Sequence, residues 1–281
     1  MDELYRKAHE EARNRFLASP SKCYQRHIRE VWDELDPRTP LTSLKEARVE
    51  PISSKDAKDF ISRYEWIAAH RGEKYAMGAG TKFCYGLKLS DEIIGVACFN
   101  IGGGPEPRRI CQDPDVVKRT ICLCRGACAP HAPKDAGSFL TRHACRLVNN
   151  QYGYEVFFAY SDSDAGEIGT IYQAVGWKYL GAGLGRAKDK HGKSYHTDFI
   201  MNGDRVTTHS VYKLAVRKGW VPGMKDMITG KNLTKRQFIR NLGYTDIRTP
   251  DRAKWVWFEG PNKFTLEKDC RFPFLPYPKR G

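Results

Sequence analysis

The run "YEVFFAYSDSDAGEIGTIYQAVGWKYLG", residues Tyr154–Gly181, decides the fold of this chain. It opens on an apolar segment rich in aromatic residues, which is typical of a strand buried on both faces. Acidic and glycine residues then indicate a loop, a short helix follows, and "WKYLG" returns as a strand. Asp162 lies at the carboxyl end of the first strand, where ligand and catalytic groups gather in α/β sheets. The structural alternative for this aspartate is helix capping.

The segments that precede this run predict the rest of the sheet. "KFCYGLKL" and "IIGVACFN", separated by "SDE", indicate a β-hairpin. "TICLCRGACA" predicts a further strand, "SFLTRHACRLVNNQYG" a helix and "SYHTDFIM" the last strand. Apolar spacing predicts helices near residues 2–17, 22–34 and 54–70. This order indicates an α/β fold with an antiparallel half and one parallel crossover.

The whole chain of 281 residues has a formal net charge of +14, and most of the positive charge lies in its last third. From Arg186 onwards, 21 lysines and arginines face 9 acidic residues, whereas the preceding part is close to neutral. We therefore expect the basic C-terminal region (205–281) to bind nucleic acid. It follows a helical segment (1–50) and an α/β domain (51–204), for which the family resemblance given below implies a catalytic role. A basic surface kept for solubility is the alternative. The expected nucleic-acid contacts are Trp255, Trp257, Lys235, Arg236 and Arg240.

Other sequence features bear on the cellular compartment. No window approaches eighteen apolar residues, so no membrane association is expected. The N-terminal stretch is charged throughout and does not resemble a signal peptide. The nine cysteines include no C-x-x-C pair, which favours reduced thiols in a cytoplasm over a zinc site.

Individual residues at strand and helix ends are candidates for a site. Arg125 interrupts an apolar strand, so it needs either a partner, a function or a path to water. Gly137 and Ser138 begin a helix whose free N–H groups can hold phosphate, although many strand–helix turns look similar. Tyr172, ten residues after Asp162, serves either as a proton donor or in packing.

Tyr64 and Glu65 form a polar pair in the otherwise apolar "RYEWIA". If their helix folds over the strand ends, Glu65 faces Asp162, which provides two carboxylates for acid–base chemistry or a metal. A surface glutamate beside packing aromatics is the alternative.

The order of elements, together with "IYQAVGW", resembles the GNAT acyltransferase fold. "YGLKLSDEIIGVACF", "CRGACAPHAPKDAGSFLTRHACRL" and "AYSDSDAGEIGTIYQAVGWKYLG" resemble the phage-encoded Mom-type DNA-modification proteins. This resemblance covers roughly Tyr64–Gly183, and "RFPFLPYPKR" extends it in patches. It implies a GNAT-like mixed sheet with flanking helices plus a basic C-terminal extension.

The function that this resemblance implies is a transferase that modifies the exocyclic N6 amine of adenine in phage DNA. Such hypermodification protects against restriction and takes place in the cytoplasm of the bacterial host. The family's functional arginine, serine, aspartate and tyrosine match Arg125, Ser138, Asp162 and Tyr172. Iron is also implied, and its expected ligands are Asp162, Glu65 and Tyr172. The family's histidine–tyrosine pair corresponds here to Tyr64–Glu65, without the histidine.

The donor-binding loop departs from the usual GNAT pattern R/Q-x-x-G-x-G/A. Only Lys134, Gly137 and Ser138 approximate it, so acetyl-CoA and an aminoacyl-tRNA are both open as acyl donors. Double-stranded DNA is the expected partner, with tRNA as a donor and a homodimer as further options. Two alternative functions stay open: a conventional GNAT N-acetyltransferase on a small-molecule or protein amine, and a non-enzymatic DNA-binding protein on a GNAT scaffold.

Overall fold

The structure is a computed structural model, and it describes most of the chain. The described residues are 3–19, 22–67, 77, 80–101, 106–183, 195–201, 204–206 and 208–279.

The chain folds into two compact units. Met1–Gly181 and Arg252–Gly281 form the first, and Ala182–Asp251 form the second. This division differs from the three segments expected from sequence, because the segment from Arg252 onwards belongs with the first unit. The reason is that "AKWVWF" supplies an inner strand of the main sheet.

The first unit consists of eight helices and seven strands among its described residues. Its helices are α1 (Glu3–Ala18), α2 (Tyr24–Leu35), α3 (Ser54–Tyr64), α4 (Glu106–Ile110), α5 (Pro114–Lys118), α6 (Ala136–Tyr152), α7 (Thr170–Val175) and α10 (Lys263–Lys268). Its strands are β1 (Arg48–Pro51), β2 (Thr81–Leu89), β3 (Glu92–Asn100), β4 (Thr120–Cys128), β5 (Val156–Ser161), β6 (Lys178–Ala182) and β10 (Ala253–Phe258).

The seven strands form one sheet in the order β1-β2-β3-β4-β5-β10-β6. The expected hairpin is the antiparallel pair β2–β3. β4 and β5 run parallel, and α6 lies between them in the chain, so these elements form the expected parallel crossover. α6 ends at Gly153, whose φ of 71° allows the left-handed cap. The mixed α/β sheet with flanking helices confirms the GNAT-like fold expected from the sequence.

The parallel strands β4 and β5 part at their carboxyl ends. Their pairing runs from Thr120–Val156 to Leu123–Ala159 and stops there. Beyond that point β4 pairs only with β3, and β5 pairs only with β10. A register shift in β4 next to Arg125 marks the place where it bends away. Side chains beyond this point are therefore free to line a site.

The second unit contains a three-stranded antiparallel sheet and two helices in its described part. Its elements are β7 (Tyr195–Met201), β8 (Asp204–Val206), α8 (Thr208–Arg217), α9 (Lys235–Asn241) and β9 (Thr245–Pro250). The sheet order is β8-β7-β9, so the strand that we expected to end the main sheet lies in the middle of a separate one. Phe199, Val211, Ala215 and Ile239 form the core of this unit.

None of the helices in the described part of the chain has the length and apolar character needed to span a bilayer.

Candidate active site

Glu65 is placed at the sheet by the end of helix α3. Ser53 caps the start of this helix through Asp56 N, at 3.0 Å. The helix ends at Tyr64, because Glu65 adopts an extended conformation with ψ 134°. Gln25 of α2 then fixes the segment: its side-chain amide donates to Tyr64 O and accepts from Trp66 N at 3.0 Å.

The Glu65 carboxylate is buried and incompletely paired. Its residue is 8% exposed, and Oε2 has no hydrogen-bond partner among the described residues. Arg125 Nε of β4 lies 3.7 Å from this oxygen, which is ion-pair distance but too long for a hydrogen bond. Burial raises the pKa of Glu65 to about 8; Glu167 adds to the rise, and Arg125 and Arg252 oppose it. The protonated and ionised forms are therefore both accessible near neutral pH.

A second carboxyl group, Glu167, is close enough for its charge to raise the pKa of Glu65. Its Oε1 accepts a hydrogen bond from Trp66 Nε1 at 2.9 Å, and its Oε2 accepts one from Asp162 N at 2.8 Å. Burial raises the pKa of Glu167 to about 7, and both hydrogen bonds oppose that rise. The fixed carboxyl thus titrates close to physiological pH.

Asp162 follows β5 and is paired with an arginine that precedes β10. Arg252 Nε donates to Asp162 Oδ2 at 3.0 Å. The register Ala253–Ser161 brings these two residues together, because each is the next residue outward from that pair. Asp162 is therefore in the predicted place at the strand end, and its carboxylate orients Arg252.

Tyr172 of α7 is close to the same charges. Burial raises the pKa of its phenol well above the usual range, and Glu167 and Glu65 contribute to that rise. Its ring packs against Trp177 and Trp255, with centroid distances of 5.1 and 5.6 Å. The phenol therefore stays protonated and is suited to donating a hydrogen bond.

Gly169 and Trp255 fix the start of helix α7. Gly169 has a φ of 69°, and a Cβ there would lie 2.2 Å from the Trp255 indole. The indole Nε1 donates to Ser161 Oγ at 3.0 Å, which ties β10 to the end of β5. Only glycine admits this approach, so the start of α7 lies directly against the Trp255 indole.

The start of α6 carries the residues predicted to hold the donor. Ser138 Oγ donates to Asp135 O at 2.9 Å in the first turn, and Lys134 is exposed just before it. A Cβ on Gly137 would lie 3.1 Å from Ile171, so this glycine allows α7 to pack closely on α6. The free N–H groups of this helix terminus are available to an anion.

The side chain of Tyr64 lies apart from the carboxyl groups of Glu65 and Glu167. Its ring packs against Trp32 and Phe60, at centroid distances of 5.7 and 4.7 Å. The residue is 7% exposed, and it belongs to the helical core of α2 and α3. The structure therefore places the Tyr64 ring in the helical core, and a catalytic role for Tyr64 stays a prediction.

The expected nucleic-acid contacts are divided between the two units. Trp255 is fully buried and Trp257 is half-buried on β10, so the expectation that Trp255 stacks on a base does not fit the structure. In the second unit, Lys235 lies 4.7 Å from the Trp220 ring centroid, and Arg236 lies 5.5 Å from that of Phe199.

Arg240, the remaining expected nucleic-acid contact, makes a two-pronged ion pair with Asp246, with distances of 2.9 and 2.6 Å. Its charge is therefore already compensated within the second unit.

The residues expected to bind iron do not fit a metal centre. The Asp162 carboxylate is paired with Arg252, and an arginine also faces Glu65. Within the described ranges, no three or more His, Cys, Asp or Glu side chains come together in a way that could hold a metal ion. The predicted iron site at Asp162, Glu65 and Tyr172 is thus unsupported by the geometry.

Sequence reasoning missed two members of the cluster, Glu167 and Arg252. Glu167 stands between two glycines in "GEIG", and an isolated acid in such a loop is a usable signal. Arg252 immediately precedes the apolar strand "AKWVWF", but its partner is 90 residues away in sequence. Only knowledge of the β5–β10 pairing could have placed it.

The fold and the charge cluster define an α/β protein with a mixed sheet and a candidate site where two parallel strands part. A sequence model of the Mom protein family matches residues 46–231, which is more than half of the chain. The chain therefore belongs to the Mom protein family. A comparison with curated protein sequences found no match.

Several solved structures have a similar backbone arrangement at low sequence identity. The IAA acetyltransferase from Bacillus cereus is 15% identical, with 76% of this chain and 99% of that chain covered and a TM-score of 0.36. A Bacillus subtilis acetyltransferase in complex with CoA is 12% identical, with 76% and 99% covered and a TM-score of 0.37. The spermidine N-acetyltransferase from Vibrio cholerae is 8% identical, with 78% and 96% covered and a TM-score of 0.38. None of these similarities bears on the substrate or donor of this chain.

Proposed function

We propose that this protein is a transferase that acylates the exocyclic N6 amine of adenine in DNA. The observation that carries the proposal is a pair of carboxyl groups at the parting ends of β4 and β5: the buried Glu65 beside Arg125, and the half-buried Glu167 beside Asp162. Their pKa values of about 8 and about 7 suit proton transfer near neutral pH. Membership of the Mom protein family directs this chemistry towards DNA modification as a defence against restriction.

The reaction requires one proton acceptor and one proton donor. The amine nitrogen attacks the acyl carbon of the donor, a C–N bond forms, and the bond from carbon to the leaving group breaks. Glu167, with the lower pKa, is the carboxylate that takes the proton from the amine. Glu65, mostly protonated at pH 7, returns a proton to the leaving group.

Arginine and tyrosine side chains complete the site. Arg125, within 3.7 Å of Glu65, stabilises the negative charge that develops on the acyl oxygen. Tyr172 keeps its proton and donates a hydrogen bond to the same intermediate. Asp162 does not act as the base in this scheme, since it orients Arg252.

The donor is bound at the start of helix α6. Its first-turn N–H groups and Ser138 accommodate a phosphate, with Lys134 as an additional charge. Both an acyl-CoA and an aminoacyl-tRNA present phosphates and an activated acyl carbon, so both remain donors to test.

The target amine must leave the base stack before it reaches the site. An amine inside a duplex is inaccessible, so the enzyme acts on a flipped or single-stranded adenine. The excess of lysine and arginine after Arg186 supports phosphate binding, which predicts a steep dependence on salt.

Mass spectrometry of nucleosides from cells that express the chain tests this proposal. Wild type is expected to produce a modified deoxyadenosine, whose added mass identifies the acyl group and thereby the donor. Glu167→Gln should abolish it, whereas Glu10→Gln, an exposed glutamate on α1, should not. Unmodified DNA together with turnover of acetyl-CoA on a small-molecule or protein amine would establish the conventional acetyltransferase instead. DNA binding that persists without any transfer would establish a binding protein.

A further inference from the structure

Two adjacent apolar side chains at a hairpin tip of the second unit are fully exposed. We propose that Met227 and Ile228 form a wedge that inserts between base pairs of duplex DNA. Their exposure is 102% and 94%, the highest among the large apolar residues of the described chain. This proposal rests on the proposed function, since it supplies a means of opening the duplex.

The tip is a pre-formed turn. Asp226 Oδ1 accepts hydrogen bonds from Ile228 N at 3.1 Å, Thr229 N at 2.8 Å and Thr229 Oγ1 at 2.9 Å. The backbone closes the same turn, from Gly230 N to Asp226 O at 2.9 Å and from Asp226 N to Lys231 O at 2.8 Å. The backbone that carries the two apolar side chains is thus already ordered, so its part of the entropic cost of binding is small.

The base of the hairpin is anchored in the second unit. Leu233 N donates to Met224 O at 2.7 Å, and the Leu233 side chain is buried. The Trp220 indole donates to Leu233 O at 2.7 Å, and the Lys235 ammonium lies over the Trp220 ring. Inserting a side chain between base pairs costs the stacking energy of that step, so the turn must keep its conformation on binding. The contacts of Leu233 and Trp220 hold it in that conformation.

The surroundings of the tip are complementary to a polyanion. Residues 213–240 contain eight lysines and arginines and a single acidic residue, Asp226, which is used in the turn. Lys225 and Lys231 flank the tip and are exposed. An apolar tip between two lysines matches a base step between two phosphate strands.

The same features fit a membrane surface less well. Two side chains bury less apolar surface than one acyl chain, and a single acyl chain alone gives only marginal membrane binding. A DNA wedge, in contrast, needs only one or two inserted side chains. Duplex DNA is therefore the occupant that the tip fits best.

A fluorescent duplex tests the wedge directly. The full-length protein is titrated into duplex DNA that contains 2-aminopurine, whose fluorescence increases when it is unstacked. We expect wild type to increase the signal and the double variant Met227→Ser/Ile228→Ser to lose most of that increase. Leu17→Ser, an exposed apolar position on α1, is the matched control and should behave like wild type.

Salt dependence separates insertion from phosphate binding. The double serine variant should keep the wild-type slope of log affinity against log salt. Lys225→Gln/Lys231→Gln should make that slope shallower by about 0.9 for each DNA phosphate that the variant no longer neutralises. Circular dichroism of each variant establishes that the fold is intact.

Each outcome decides between the proposals. A signal that stays at the wild-type level in the double serine variant overturns the wedge and leaves the proposed function standing. Wild type that unstacks DNA but produces no modified deoxyadenosine in cells overturns the proposed function and leaves the wedge. Wild type that does not bind DNA overturns both. Binding to phosphatidylserine vesicles that requires Met227 and Ile228, with DNA unstacking unchanged in the variant, replaces the wedge by membrane insertion.

Discussion

Replacing Glu65 by glutamine should make the protein more stable and the transfer reaction slower. Glutamine keeps the size of the side chain, but it removes the cost of ionising a buried carboxyl group. The ordinary pKa is 4.5, and in the folded protein it is about 8. Because each tenfold change corresponds to about 1.4 kcal/mol, this difference amounts to roughly 5 kcal/mol.

The sign of the effect follows from the raised pKa. The folded state holds this proton more tightly than the unfolded chain, so the stability that it contributes is fully present below pH 4.5. That stability falls as the pH rises and is lost once the pH passes about 8. Glu167, with a pKa of about 7, adds a decline in the lower part of the same range. In the Glu65→Gln variant, the part of this decline that comes from Glu65 should be absent, while the part from Glu167 remains. The difference in the free energy of unfolding between the variant and wild type should therefore grow with pH.

Urea unfolding between about pH 5 and about pH 9, followed by tryptophan fluorescence, measures this difference. Five of the six tryptophans lie in the first unit, so the signal reports mainly on the unit that contains Glu65. Glu10→Gln on α1 is the control and should follow wild type at every pH. Parallel curves for wild type and Glu65→Gln would refute the assignment of a raised pKa to this residue. A variant that gained stability but kept full transferase activity would refute its catalytic role.

The other predictions concern neighbouring contacts. Gly169→Ala places a Cβ 2.2 Å from the Trp255 indole at a φ of 69°, so unfolding should become easier by about 3 kcal/mol or more, measured by urea denaturation. Gly153→Ala, with a similar φ and open space, should cost only about 1 kcal/mol, and equal losses would contradict the steric argument. Trp66→Phe removes a hydrogen bond that lowers the pKa of Glu167, so the acidic limb of the pH–rate profile should move to higher pH; an unmoved limb would exclude Glu167 as the base. Asp162→Asn breaks the pair with Arg252 and should abolish DNA modification in cells, and unchanged modification would remove Asp162 from the site.

Local patterns were sufficient to predict most of the main sheet. The hairpin β2–β3, the unit from β4 through α6 to β5, and the short helix α7 all follow from apolar spacing and glycines within short stretches of chain. The position of strand β10 in the sheet could not be predicted, because β10 pairs with β5 across a long sequence separation. The strand β9 was missed, since "TDIRTP" is largely exposed and lacks an apolar alternation.

The candidate site was predictable where a residue's own position in its element decided its role. Arg125 and Asp162 stand out because a strand interior and a strand end impose clear requirements on charged side chains. Tyr64 was assigned a role from its neighbour Glu65, but the two side chains diverge where the helix ends. Arg252 joins the site through a tertiary contact that no local pattern encodes, whereas Glu167 carried only the signal of an isolated acid between two glycines.

The shifted carboxyl groups of this protein argue that the cluster exists for chemistry. Several aspartates and glutamates have a lowered pKa, because a cation or a hydrogen-bond donor stabilises the ionised form: Glu34, Glu50, Glu92, Asp115, Asp226 and Asp246. Among the described aspartates and glutamates with a resolved shift, only Glu65 and Glu167 have a raised pKa, and the charge of Glu167 contributes to the shift of Glu65. Because of their raised pKa values, these two carboxyl groups make folding less favourable at neutral pH than at acidic pH, so they do not serve stability. They are, however, what a proton-transfer site needs, and an arginine within ion-pair distance of one of them adds a group for the developing negative charge.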